Sequence, residues 1–225
     1  MRNLCNALHQ LFNELKRLEF PFDSSKVPFN GIYILFEVGE KAHGVDRIVR
    51  VGTHTGNKQL RSRLNQHFIN ENKDRSIFRK NIGRALLHKA QDPFLKQWNL
   101  DLTTHNAKET YGKLVDLHKQ QRVERQVTEY IQSHFSFMVF QVDEKKKRLE
   151  LESKIISTVS WCNGCRPSAS WLGLDSPKSK IRESGLWIVN ELYKELLSEK
   201  EFEELKKLIE AGYGLRKTVA SGLEY

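Results

Sequence analysis

Cysteine is scarce in this chain, and its scarcity excludes a class of fold. Three cysteines (Cys5, Cys162 and Cys165) in 225 residues cannot make a disulfide framework and suit a reducing compartment. The spacing Cys162-Asn163-Gly164-Cys165 invites a metal reading. A structural zinc needs four ligands, however, and no second Cys or His pair lies nearby in sequence. The segment therefore reads as a tight Asn-Gly turn.

Long apolar runs are missing too. No stretch approaches the ~18 apolar residues of a membrane span. Near the start, Leu4, Ala7, Leu8, Leu11 and Leu15 are interrupted by Asn, His, Gln and Glu, unlike a secretory segment. The expectation is a cytoplasmic protein with no membrane partner. Internal repeats and low-complexity tracts are absent as well, which excludes a solenoid.

Acid is in short supply relative to base. Lys and Arg number 37 against 28 Asp and Glu, for a net charge of +9 and a pI near 9.4. Such a balance makes a polyanion a natural partner, because clustered cations release counterions from phosphate backbones. The hydrophobic (39%) and charged (29%) shares are those of a folded globular protein.

Periodicity predicts an amphipathic helix over 3–19, on Leu4, Leu8, Leu11, Leu15 and Leu18, and a break from Pro21 to Pro28. Gly31 opens a β-branched and aromatic run, Ile32-Tyr33-Ile34-Leu35-Phe36, and 46–52 alternates as its hairpin partner after a turn at 39–44. Helices follow at the Leu60, Leu64, Phe68 stripe and from Ile77 towards Trp98. The stretch 99–111 reads as an exposed insertion, and 112–131 as a polar surface helix with few apolar anchors. A third strand at 135–142 runs into a helix faced by Leu149, Ile155, Ile156 and Val159; helices at about 184–197 and 199–211 close the chain. The expected fold is α/β (α+β): a small, three-stranded, mainly antiparallel sheet flanked by helices. One domain is expected, with a helical arm (1–28), a core (29–173) and C-terminal helices (174–225).

Within this frame Glu152 stands out. On a projection of about 100° per residue it falls in the middle of an apolar helix face, while Glu150 points to solvent. A carboxylate there is either salt-bridged to an arginine or holds a metal, since an isolated buried charge costs several kcal/mol. Arg63 and His67 form an i, i+4 pair on one flank of the Leu60 stripe, with Arg61 on the other. A guanidinium suits a phosphate because it donates parallel charge-assisted bonds. Tyr33 is either a core aromatic or a proton acceptor, and Arg50 across the hairpin would favour its phenolate.

In order along the chain, these pieces resemble the GIY-YIG nuclease family, in particular its restriction-endonuclease-like members. Gly31-Ile32-Tyr33 matches the first element and Val51-Gly52 the end of the second. Arg63-Leu64-Asn65-Gln66-His67 resembles the Arg-x-x-x-His helix, and Leu151-Glu152-Ser153-Lys154-Ile155-Ile156 the helix of the metal-binding Glu. Two departures occur: Arg50 replaces the usual Tyr, and the family's Asn after the Glu helix has only Asn163 or, preferred here, Ser170 to fill it. The resemblance implies cleavage of double-stranded DNA with one divalent metal, Mg²⁺ or Mn²⁺, held by Glu152. Tyr33 would activate water with Arg50 beside it, Arg63 would bind the scissile phosphate, and His67 would assist proton transfer or hold the phosphate. Arg61, Arg75, Arg79, Lys80, Arg84 and Ser170 are the expected DNA contacts. A palindromic target would call for a homodimer. The rival readings are a catalytically impaired DNA-binding module on the same scaffold, a repair or mobile-element nuclease, and an interaction protein that docks through its terminal helices.

Overall fold

Strand alternation decides which helices lie on which side of the sheet. The structure, a computed structural model, describes residues 2–220 and the side chains of residues 4–212. The elements are α1 (Arg2–Asn13), β1 (Leu18–Glu19), β2 (Gly31–Ala42), β3 (Val45–Gly52), α2 (Leu60–Phe68), α3 (Ile77–Lys89) and α4 (Leu95–Trp98). They continue as α5 (His105–Tyr111), α6 (Leu117–His134), β4 (Phe135–Gln141), α7 (Lys145–Ser160), α8 (Ser179–Ser184) and α9 (Glu199–Ala220). The strand order is β1-β4-β2-β3 and every pairing is antiparallel. Tyr33, Leu35, Phe135, Phe137 and Val139 face a layer built from α2, α3 and α6. Ile32, Ile34, Phe36, Met138 and Phe140 face α1, α7 and α9. Each face is apolar because successive side chains of a strand point to opposite sides, so β2 and β4, covered on both, read as continuous hydrophobic runs.

The mixed fold expected from the sequence is present, with four strands rather than three. The added strand comes from the end of the predicted first helix, which stops at Asn13. Leu18 and Glu19 pair instead with Phe137 and Ser136 of β4. The hairpin is tighter than expected: β2 runs through Gly39 to Ala42, and His43 and Gly44 make the turn with φ of 54° and 81°. Part of the polar insertion is helical, since Thr104 caps α5 by accepting the Ala107 N–H.

Two further expectations are corrected. Helix α6 is a core element, because Val123, Val127 and Ile131 recur at helical spacing and are buried with Glu124. The predicted helix at 184–197 does not form. Gly185, in the left-handed region at φ 69°, caps α8, and the following chain docks on the edge of β3, where the Trp187 N–H donates to Val49 O at 2.8 Å.

Burial of α6 brings a charge with it. Glu124 meets Arg79 of α3 at 2.8 Å, and Arg79 also donates to Thr128 Oγ1, Glu124 O and His67 O. Both side chains are almost wholly out of water. Removing one partner leaves the other charge buried and uncompensated. Glu124→Ala should therefore lose on the order of 3–5 kcal/mol of stability in urea unfolding. A loss below about 1 kcal/mol would show that the pair does not hold α3 to α6.

Candidate active site

The site begins with two close approaches of backbone. A Cβ on Gly31 would lie 2.2 Å from Phe140 O of the neighbouring strand, and one on Gly52 would lie 2.2 Å from Tyr33 Oη. Tyr33 and Gly52 are register partners on β2 and β3, so the phenol lies flat across the glycine. The register stays regular as far as Arg50, and a bulge follows it. Leu35 pairs with Arg50 and Phe36 with Ile48, leaving Val49 as an extra residue in β3. Two residues from Gly52 on the same strand, Arg50 shares the face of Tyr33. Its Nε–H donates to Tyr33 Oη at 3.4 Å, Nη1 donates to Trp187 O, and its guanidinium lies 5.2 Å from the Phe78 ring centroid.

Behind the phenol is an imidazole. Tyr33 Oη and His67 Nε2 are hydrogen bonded at 2.8 Å, and His67 Nδ1 pairs with Ser76 Oγ at 2.7 Å. His67 is fully buried. Burial, then the cations Arg63, Arg50 and Arg79, hold it well below the usual imidazole range, so it is neutral at physiological pH. Tyr33 is only 1% exposed. The pair lies beneath the surface, and His67 cannot touch a phosphate from where it sits.

Above it opens a cleft of about 450 Å³, lined by Thr53, His54, Gln59, Arg63, Gln66 and Glu152 among others. It lies past the end of β3, where α2 from one helix layer and α7 from the other converge. Arg63 is partly exposed and donates to Gln66 Oε1 and Arg75 O. Glu152 lies at the edge of the buried face of α7 rather than in its middle, so its carboxyl enters the cleft; Leu149 lines the same wall. No ion pair among the described residues includes Glu152. Its carboxyl is pushed up to about 7, chiefly by burial, while Arg50, the Thr53 N–H and Arg63 pull the other way. Thr53, His54, Gln59 and Gln66 were not singled out in the sequence. Gln59, Ser62, Arg63 and Gln66 do fall on one helical face, a signal that the Leu60 stripe overshadowed.

The structure separates the expected DNA contacts. Arg79 and Lys80 are buried cations, paired with Glu124 and with Asp74, and neither faces solvent. Arg84 is tied to Asn99 and Asn81. Arg61 donates to Val27 O and Ser25 O and stacks on Phe29, on the other flank of α2. Arg75 is exposed and lines a separate groove with Lys108 and Asp74. Ser170 is exposed in a loop where it meets Ser168, itself bonded to Glu40 near the far end of β2. Asn163 is exposed in the Cys162–Cys165 turn. Neither of these last two lines the cleft.

A family model described as a GIY-YIG domain matches residues 1–213. No curated protein and no solved structure matches the chain.

The environment of Glu152 has a measurable consequence for the free protein. Its folded-state pKa is raised from 4.5 to about 7, so the folded chain binds this proton more tightly than the unfolded chain. The associated stability is complete below the unfolded value and is lost as pH rises through about 7, by at most about 3 kcal/mol. Without divalent metal, Glu152→Gln should therefore raise the melting temperature at pH 8 and change it little near pH 4.5. A lower melting temperature at pH 8 would instead place a compensating cation against the carboxylate.

Proposed function

The chain belongs to the GIY-YIG domain family, whose members are usually nucleases, and on that premise we propose that it is a metal-dependent DNA endonuclease of restriction or defence type. The observation that carries this reading is Glu152: a carboxylate drawn out of water, without an ion-pair partner, in a cleft it shares with Arg63. A group so placed is poised to receive a cation. The donor set fits a hard ion, since Glu152 shares the cleft with the oxygen-bearing side chains of Thr53, Gln59, Ser62 and Gln66, and Mg²⁺ is commonly held by one or two carboxylates with water completing the shell. When bound, such an ion neutralises charge on the phosphate and assists the leaving oxygen.

The remaining steps fall to side chains of the chain itself. Arg63 grips the scissile phosphate, because its guanidinium is partly exposed and opens on the cleft. As the phenolate, Tyr33 takes the proton of the attacking water, with neutral His67 hydrogen bonded to its oxygen and orienting it. Arg50 donates to the phenol oxygen and favours negative charge there. His67 is thus a positioning residue rather than a phosphate ligand. For the family's Asn, Asn190 replaces Ser170 as the candidate. It is exposed, and its neighbour Glu191 both accepts from Ser153 of α7 and bears on the charge of Glu152. Double-stranded DNA would be held by exposed cations near the cleft, among them Lys58 before α2 and Lys145, seven residues ahead of Glu152 on the same face of α7.

A catalytically impaired DNA-binding module is the second reading, and one observation favours it: Tyr33 is buried and does not line the cleft. Cleavage of a mixed-sequence plasmid set in Mg²⁺ or Mn²⁺, with EDTA as control, separates the two. Discrete fragments are expected, lost by more than about 100-fold in Glu152→Ala while salt-sensitive DNA binding persists. Binding without cutting on every substrate would establish the module. Independently of turnover, Mg²⁺ should raise the melting temperature of the wild type at pH 8 and leave that of Glu152→Gln unmoved.

A further inference from the structure

All three cysteines of the chain meet at one point, far from one another in sequence. Cys5 lies on α1, Cys162 and Cys165 follow the end of α7, and His43 occupies the tip of the β2–β3 hairpin. Cys5 Sγ is 3.2 Å from Cys165 Sγ, His43 Nε2 is 3.2 Å from Cys165 Sγ, and Cys162 Sγ is 3.5 Å from His43 Nε2. The charges of Cys162 and Cys165 bear on one another, and Cys5 bears on Cys162 too. The Cys165 N–H donates to Cys162 O at 3.2 Å, which folds the Cys-x-x-Cys segment into a turn, and both thiols meet His43 Nε2. The expected Asn-Gly turn is therefore present, but the missing ligand pair is supplied through space.

A second histidine is close by, and its bonding sets it apart. His9 has its Nδ1 2.9 Å from Cys5 O, and its Nε2 accepts the Ile48 N–H at 3.1 Å. Both ring nitrogens are thus taken by backbone, although they lie 3.7 Å from Cys5 Sγ and 3.9 Å from Cys165 Sγ. In His43, by contrast, Nε2 faces the thiols of Cys165 and Cys162. It holds this place at the cost of a positive φ of 54°, a conformation that a residue other than glycine adopts rarely.

We propose that Cys5, His43, Cys162 and Cys165 form a structural zinc site, with His9 packed beside it and held by the backbone. Zinc–sulfur bonds of about 2.3 Å and zinc–nitrogen bonds of about 2.0–2.1 Å set tetrahedral edges of roughly 3.5–3.8 Å. Of the three edges measured, Cys162–His43 at 3.5 Å matches, His43–Cys165 at 3.2 Å is a few tenths short, and Cys5–Cys165 at 3.2 Å is short by about half an ångström, so an outward shift of the thiols admits the ion. Three thiols and an imidazole are the soft and borderline donors that select zinc over the hard ion suited to Glu152. Four protein ligands leave no open position, so the site is structural rather than catalytic. It would fasten α1 and the hairpin tip to the chain that leaves α7, the helix of Glu152.

Full-length protein purified without chelator should contain about one zinc per chain by elemental analysis, in the wild type and in Glu152→Ala alike, so the result is independent of nuclease activity. Cobalt substitution should give visible bands of a tetrahedral ion and thiolate charge-transfer absorption of three thiolates rather than two. His43→Gln and Cys162→Ser should each weaken zinc binding by more than about tenfold, whereas His9→Gln should retain it. Absence of zinc after incubation with excess Zn²⁺, or a Cys5–Cys165 disulfide by mass spectrometry, would overturn the proposal. Loss of zinc in His9→Gln with retention in Cys162→Ser would overturn the ligand set. If a cysteine variant fails to fold, the cobalt spectrum of the wild type still distinguishes three thiolates from two.

Discussion

An extra residue in strand β3, at Val49, sets the geometry on which much of the rest depends. Arg50 reaches Tyr33 through the unbroken register from Tyr33–Gly52 to Leu35–Arg50, and the bulge beyond it puts Val49 on the same face before Ile48 turns to the other. The same distortion leaves Val49 O free at the edge, where it accepts the Trp187 N–H. That bond covers an edge strand that would otherwise present unpaired backbone. It also brings the chain after α8 across the sheet, so that Trp187 O accepts from Arg50 and Glu191 meets α7 through Ser153. The segment docked at Val49 thus couples the phenol's cation to the far side of the cleft.

The second theme is the placement of charge. This chain has far more cations than a small surface needs, and several are spent inside. Arg79 is buried with Glu124, Arg47 with Glu40, and Lys73 and Lys80 share Asp74. Glu37 is buried as well, accepting from Trp171 at 2.7 Å, Trp187 at 2.8 Å and Tyr130 at 2.5 Å, and burial pushes its carboxyl upward. Each of these groups is answered by donors or an opposite charge, as a dry interior requires. Glu152 differs, because its nearest electrostatic partners stand beyond ion-pair distance. That contrast, rather than burial alone, separates it from the structural carboxylates.

Much of the fold was legible locally. β-branched and aromatic runs marked β2, β3 and β4, and the spacing of leucines marked α1 and α2. The order of Tyr33, Arg50, Arg63, His67 and Glu152 could be read because each occupies a recognisable element. Legibility failed where partners are distant. Arg79 on a basic helix looks like a surface cation until α6 lays Glu124 against it, and the polar sequence of α6 hid three well-spaced valine and isoleucine anchors. The stretch 184–197 has a helical pattern of apolar residues, but Gly185 stops the helix and the edge of β3 captures Trp187.

The sequence by itself determined the class of fold, the family and the set of chemically capable residues, because these rest on short-range periodicity and on motif order. Only the tertiary structure decided which residues meet. It placed His67 behind Tyr33 rather than on the surface, turned Glu152 into the cleft, withdrew four expected DNA contacts into structural roles, and drew Cys5 and His43 to Cys162 and Cys165. The physical reason is common to all four outcomes: proximity across a folded sheet depends on register, bulges and layer packing, and none of these is encoded in the spacing of residues along one segment.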